Sequence, residues 1–214
     1  MNYNIINTGS DGNATIIENT IMIDCGLPFK KIYPYIRKLK LVLLTHTHVD
    51  HFNKSTIKKL AEERPKLRFG CCEWLVQDLI DCGVSKKRID VYTLDNEYDY
   101  GLFKVIPVKL YHDVPQCGYR IFINGYKCIY CTDTNTLDGI KAEGYDYYFI
   151  EANYENEQEL HERAYNDYYE KRVKSTHLSK EQTTEWLLEN MGANSVYEFM
   201  HGHKERLEKN VSKV

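Results

Sequence analysis

Four apolar residues followed at once by three histidines and an aspartate limit most strongly how this chain can fold. Residues 41–52 read LVLLTHTHVDHF. The apolar run predicts a short buried strand, and the connection after it holds His46, His48, Asp50 and His51. The chain has only eight histidines in 214 residues, so this density indicates a built site. If the chain stays extended, alternate residues of the cluster project to one side.

The histidine-rich connection predicts a metal site. Imidazole nitrogens and carboxylate oxygens are the ligands of zinc and its neighbours among the metals. One tetrahedral ion does not easily take four ligands from so tight a turn, so we expect further ligands elsewhere. Other ligand-type side chains stand at the ends of predicted strands or helices: His112, Asp133, His177, His201 and His203. Each alone is more typical of a capping or satisfied polar residue, and only the first cluster makes them candidates.

Predicted strands and helices alternate in both halves of the chain, which favours an α/β fold with helices covering sheet faces. Helices are predicted over PFKKIYPYIRKLK (residues 28–40), over NKSTIKKLAEER (residues 53–64) and in a long polar segment near residues 155–172. We find neither an internal repeat nor a low-complexity linker. The length therefore predicts one domain spanning residues 1–214.

The composition excludes some classes of protein. A formal net charge of −3 argues against a dedicated module for long duplex nucleic acid, but it leaves short or single-stranded substrates open. No apolar run approaches the roughly 20 residues that cross a bilayer, and the first residues lack the features of a secretory signal. Seven scattered cysteines suit a reducing cytoplasm. Cys128 and Cys131 would face opposite sides of a strand, so we interpret them as buried thiols.

The motifs resemble a known family. THTHVDH resembles the HxHxDH signature of the metallo-β-lactamase superfamily. The order of His112, Asp133 and a late histidine is similar to that of its other ligands, and GSDGNATIIENTIMIDCG resembles its opening strands, which end here in Asp24-Cys25-Gly26. The resemblance covers nearly the whole chain. It implies a four-layer αβ/βα sandwich.

The resemblance also implies a dinuclear centre with two divalent ions, zinc in the first place and manganese as the alternative. The ligands of one ion would be His46, His48 and His112. The ligands of the other would be Asp50, His51 and His201, with His203 as the alternative to His201. Asp133 would bridge the two ions.

The residue at position 133 bears on the reaction. True β-lactamases have a cysteine there, whereas Asp133 completes a ligand set of nitrogen and oxygen, which suits hydroxide attack on phosphorus. FIEAN and STHLSKEQTTEWL resemble motifs of the phosphodiesterase branch, seen in tRNA 3′-end endonucleases. The resemblance implies that His177 protonates the leaving oxygen while Glu151 orients that histidine or raises its pKa. Asp50 joins them in the predicted catalytic set.

The substrate is predicted less sharply. HDVPQCGYRI and YYEKRVKSTHLS are most similar to the WalJ/YycJ-type exonucleases and the RNase Z-like branch, although Tyr154 stands where a histidine is usual. Arg172 would contact a phosphate and Tyr168 would stack on a base, the alternatives being a solvated cation and a core ring. We predict a metal-dependent phosphodiesterase, a nuclease acting on DNA or RNA ends. A phosphodiesterase for small molecules such as cyclic nucleotides, a non-catalytic metal-binding regulator and a homodimer stay open.

Overall fold

The computed structural model describes residues 1–202. Contacts between Cα atoms group the chain into two compact units, Met1–Asn96 and Glu97–Val214, and each unit is described by itself. Whether residues 1–214 form the predicted single domain stays a prediction. Within the described residues, no helix combines the length and the apolar character that crossing a bilayer requires.

The first unit contains a six-stranded sheet whose strands follow one another in chain order. The strands are β1 (Tyr3–Asn7), β2 (Ala14–Ile17), β3 (Ile21–Ile23), β4 (Leu41–Leu43), β5 (Arg68–Cys72) and β6 (Ile89–Tyr92). Strands β1 to β3 pair antiparallel, whereas β3 to β6 pair parallel. Glu18 and Asn19 both have positive φ between β2 and β3, as the mirror-image turns of tight hairpins require. The sequence predicts a hairpin here, because Asn19 and Thr20 stand between two apolar runs, and the antiparallel pairing of β2 with β3 confirms it.

Three helices accompany this sheet: α1 (Phe29–Ile32), α2 (Lys54–Glu63) and α3 (Val76–Asp81). The predicted helix over residues 28–40 is wrong in its second half, which is a 3-10 helix at Tyr33–Lys38. Pro34 is the physical reason, because proline has no N–H and its ring crowds the preceding turn. Helix α2 begins as predicted, since the Asn53 side chain accepts the Thr56 N–H.

Apolar side chains from the helices and the sheet share one buried cluster, to which Ile57 and Leu60 of α2 and Val42 of β4 belong. This packing holds the end of β4 rigidly. All seven cysteines are buried, which confirms the interpretation of Cys128 and Cys131 as core thiols. The sequence predicts Cys71 and Cys72 on or near a helix. They instead belong to β5, where they pair with β6.

The second unit contains another six-stranded sheet in sequential order. Its strands are β7 (Tyr98–Asp99), β8 (Phe103–Lys109), β9 (Cys117–Ile123), β10 (Tyr126–Cys131), β11 (Tyr147–Glu151) and β12 (Val196–Met200). Strands β7 to β10 are antiparallel, and β10 to β12 are parallel. The Asn124-Gly125 pair in the sequence predicts a turn between two strands, and this is confirmed because both residues have positive φ.

The helices of the second unit are α4 (Glu157–Arg163), α5 (Asp167–Thr176) and α6 (Lys180–Asn190). The single long helix predicted near residues 155–172 is wrong, because the segment breaks between α4 and α5. Asn156 and Asn166 each accept the backbone N–H three residues on, so each starts its own helix. The segment STHLS predicts that His177 opens a helix, but His177 is the C-cap of α5, and Ser179 caps α6.

Strand direction explains which residues meet in each unit. Strands β8 and β10 are both antiparallel to β9, so they run in the same direction, as do β11 and β12. Their carboxyl ends lie at one sheet edge, the place where α/β folds bind ligands. In the first unit β3 and β4 are parallel, which brings Asp24 next to the segment that follows β4.

Candidate metal centre

The histidine segment after β4 folds into a turn. The His51 and Phe52 N–H groups both donate to the His48 carbonyl, over 2.9 and 2.7 Å. Alternate residues would share one side only if the chain stayed extended, and these backbone bonds curl the segment instead. The curl brings imidazoles together: the His46 ring centroid lies 4.7 Å from that of His48 and 4.2 Å from that of His51.

Asp24 fixes one of these imidazoles. Its buried Oδ2 lies 2.6 Å from His51 Nδ1, and its Oδ1 accepts the Thr45 N–H and hydroxyl at 3.0 and 2.9 Å. A carboxylate at Nδ1 places the ring proton there, which leaves Nε2 with the lone pair that a metal needs. The sequence identified Asp24 only as part of a turn that resembles the family.

Asn13 is a site residue that sequence reasoning missed. Its Nδ2 lies 2.8 Å from His51 Nε2, and its backbone N–H donates to the Asp50 carbonyl over 2.6 Å. A Cβ on Gly26 would come within 1.6 Å of that same carbonyl oxygen. Only a glycine there lets the turn after β3 approach the Asp50–His51 backbone so closely. The Asp-x-Gly pattern was the available signal for Gly26, whereas nothing in the sequence marked Asn13.

In the second unit Asp133 is held just beyond β10. It is buried and has a left-handed φ of 54°. The Gln116 amide donates to the carbonyls of Thr132 and Asp133, which supports this unusual backbone. Asp133 Oδ1 lies 3.2 Å from His201 Nδ1.

Four side chains that can ligate a metal converge at the sheet edge of this unit: Asp133, Glu151, His177 and His201. One ligand atom from each lies within 4.8 Å of the others. All the donors are nitrogen or oxygen, which fits a divalent ion such as zinc or manganese. His203, the alternative to His201, lies outside the described residues.

Glu151 and His177 form the tightest pair of this cluster. Glu151 Oε1 lies 2.5 Å from His177 Nδ1, and its Oε2 accepts the Thr134 N–H over 2.5 Å. Burial raises the pKa of the Glu151 carboxyl, and the neighbouring His177 opposes that rise. This contact therefore orients the imidazole of His177 through Nδ1.

His112 follows β8, and a contact between its Nδ1 and a backbone carbonyl orients its ring. Nδ1 lies 3.0 Å from the Thr176 carbonyl oxygen, and Nε2 lies 3.2 Å from Asp113 Oδ1. Burial lowers the pKa of His112, which favours the neutral imidazole that binds metals. Its ring lies 5.1 Å from that of His177.

The two predicted substrate-binding residues lie on α5. Tyr168 is 76% exposed, so it is not the core ring that was the alternative, and Arg172 is exposed as well. Tyr154, which stands where the resemblance implied a histidine, is buried in a small apolar cluster with Leu160 and Val173. That departure therefore serves packing. The metal-binding and catalytic roles assigned from the sequence stay predictions.

Comparisons with known proteins agree with this architecture. Solved structures similar to the chain include the metallo-β-lactamase fold protein YhfI from Bacillus subtilis, with a TM-score of 0.73 and 18% identity over 99% of this chain and 91% of that one. Human tRNase Z, short form (ELAC1), gives 0.69 and 16% over 96% and 94%. A diphosphatase from the PhnP family gives 0.65 and 15% over 97% and 90%. No curated protein matches the chain.

At identities this low a similarity shows a shared fold, and any substrate in a protein's name belongs to that protein. The sequence itself matches the family described as the Beta-lactamase superfamily domain over residues 19–201, a range that includes Asp24, the histidine segment and His201. The chain therefore has the metallo-β-lactamase fold and belongs to the β-lactamase superfamily.

Proposed function

We propose that this protein is a metal-dependent phosphodiesterase that acts as a nuclease on DNA or RNA ends. The ligands would be those assigned from the sequence: His46, His48, Asp50, His51, His112, Asp133 and His201. The all-nitrogen-and-oxygen donor set supports two divalent ions, with zinc before manganese. The fold similarity to tRNase Z and to a diphosphatase supports phosphorus as the centre attacked. Ions bound there would supply the water-derived nucleophile and offset charge on the phosphoryl oxygens.

The observation that carries this proposal is the pair formed by the buried Glu151 and the partly buried His177. An alkoxide leaves phosphorus poorly unless it receives a proton. The contact of Nδ1 with the Glu151 carboxylate at 2.5 Å orients the His177 ring, so its Nε2 would donate a proton in one direction. Because His177 follows α5 directly and its ring stacks 5.3 Å from that of His201, the proton would be delivered beside a predicted ligand.

Two esters with different leaving groups test this role. Bis(p-nitrophenyl) phosphate releases p-nitrophenolate, which is stable as an anion, whereas a dinucleotide releases an alkoxide. We expect His177→Ala to lower kcat/KM for the dinucleotide by about 10²- to 10⁴-fold, the usual contribution of a general acid. The loss for the p-nitrophenyl ester should be much smaller. Glu151→Gln should likewise lower kcat/KM more for the dinucleotide than for the p-nitrophenyl ester.

His161 offers the matched control, because it is an exposed histidine paired with Glu170 on the outer side of α4 and α5. His161→Ala should retain both activities. Equal losses on both esters in His177→Ala would contradict the acid role. The proposal would be overturned if the wild type, loaded with zinc or manganese, cleaved neither ester. Cleavage of cyclic nucleotides alone would indicate a small-molecule phosphodiesterase in place of a nuclease.

A further inference from the structure

We propose that one surface of the second unit binds the single-stranded end of a nucleic acid. We call this surface the tyrosine–cation strip and define it by Lys109, Tyr111, Tyr168, Lys171 and Arg172. The inference rests on the proposed function, because it names the substrate class of the same site. It depends on exposed rings and cations that the fold holds beside the predicted catalytic groups.

Tyr111 forms one end of the strip. Its side chain is 46% exposed, yet its backbone is fixed on both sides: its N–H donates to Thr134 Oγ1, and its carbonyl accepts the Asn135 N–H, both over 3.1 Å. The Lys109 ammonium lies 4.8 Å from the ring centroid. Tyr111 directly precedes His112 in the chain, so an exposed aromatic ring on a hydrogen-bonded backbone stands next to a predicted metal ligand.

Helix α5 forms the other end. Tyr168, Lys171 and Arg172 are three and four residues apart, so they share one face of the helix, and all three are exposed. Neither Lys171 nor Arg172 makes an ion pair within residues 1–202. The opposite face of α5 is buried through Val173. The exposed face therefore offers one ring and two available cations.

Hydrogen bonds join the two ends. Asn135, whose backbone N–H holds the Tyr111 carbonyl, donates its side-chain N–H to the Ser175 carbonyl over 2.8 Å, and Ser175 lies in the last turn of α5. At 1.5 Å per residue along the axis of α5, Arg172 lies about 7.5 Å from His177 and Tyr168 lies about 13.5 Å from it. A strand whose scissile phosphate lies at His177 would thus meet a cation first and a ring next.

The chemistry of the strip favours unpaired bases. Exposed aromatic rings stack on bases whatever the sequence, but only where the base faces are not already stacked in a duplex. Three cations in a protein of net charge −3 hold a few phosphates and do not form the long basic surface that grips duplexes. The strip therefore suits a short single-stranded end.

Substitutions at Tyr168 test the strip with the zinc-loaded protein. We expect Tyr168→Ala to raise the KM for a labelled single-stranded oligonucleotide, relative to the KM for bis(p-nitrophenyl) phosphate, by roughly tenfold, the worth of one stacked base. Tyr168→Trp should restore the ratio, because indole also stacks. Arg172→Gln should lower the slope of log K against log salt by about 0.7, as expected for one lost phosphate contact on a single strand.

Tyr126→Ala is the control, since Tyr126 is a partly exposed tyrosine of β10 outside the strip, and it should leave the ratio unchanged. An unchanged ratio in Tyr168→Ala, or equal affinity of the wild type for a duplex of the same length, would overturn the inference. If the wild type hydrolyses neither substrate, the proposed function fails. Fluorescence anisotropy of the same oligonucleotide with the same variants then tests binding by the strip separately from hydrolysis. Weaker binding by Tyr168→Ala supports the inference, and unchanged binding refutes it.

Discussion

Three histidines of the candidate centre have Nδ1 against a fixed oxygen. The partners are Asp24 for His51, the Thr176 carbonyl for His112 and Glu151 for His177. Each contact holds Nδ1 and so sets the direction of Nε2. Nε2 of His51 lies 2.8 Å from Asn13 Nδ2 and Nε2 of His112 lies 3.2 Å from Asp113 Oδ1, so a metal bound there would replace those contacts. Repetition of one arrangement on residues from separate parts of the chain supports a functional reason for it.

Asp24 allows the most direct test of this orienting role. We expect Asp24→Ala to weaken zinc binding by about 10- to 100-fold, the usual effect of losing the partner of a ligating histidine. Competition with a chromophoric chelator measures the affinity. Asp81→Ala removes an exposed carboxylate of α3 and should bind zinc as the wild type does. Equal affinity in Asp24→Ala would show that Asp24 serves the turn alone.

The sequence predicted these residues unevenly. His46, His48 and His51 stand out because three histidines in six positions are rare, and Glu151 and His177 stand out through a resemblance. Asn13 could not be found, because its contact with His51 joins residues 38 apart in the chain and an asparagine after a glycine is typical of any turn.

At the scale of elements, the site depends on how closely the segment after β3 approaches the histidine turn. Strong local patterns were predicted well: the hairpin between β2 and β3, the turn at Asn124-Gly125 and the strands before each ligand. The errors arose where two local signals compete. Apolar spacing favoured a helix over residues 28–40 although Pro34 interrupts it, and polar periodicity hid the caps at Asn156 and Asn166.

Gly26 tests the close approach of this element. We expect Gly26→Ala to destabilise the fold by about 1–3 kcal/mol or more, because the new Cβ would overlap the Asp50 carbonyl and the backbone would have to move. Urea denaturation followed by circular dichroism measures the change. Gly192→Ala is the control, since a Cβ there meets only ordinary contacts, the nearest at 3.7 Å. A fully stable Gly26→Ala would mean that the turn can relax without cost.

At the scale of the whole molecule, both units follow one plan. Each has six strands in chain order, antiparallel first and parallel last, although the sequence shows no repeat between them. The family match spans both units, and the proposed ligands come from both: four from the first and three from the second. We therefore propose that residues 1–214 act as one hydrolase domain. A cytoplasmic location and a homodimer stay predictions, because the fold of one chain indicates neither.

The central claim is that these ligands hold two divalent ions that serve phosphodiester hydrolysis. Stepwise addition of zinc to the chelated protein, with the hydrolysis of bis(p-nitrophenyl) phosphate followed at each step, measures ion binding and chemistry together. We predict a rate that rises from the background value to a plateau at two zinc ions per chain. No hydrolysis at any zinc ratio, or a plateau at one ion, would contradict the account.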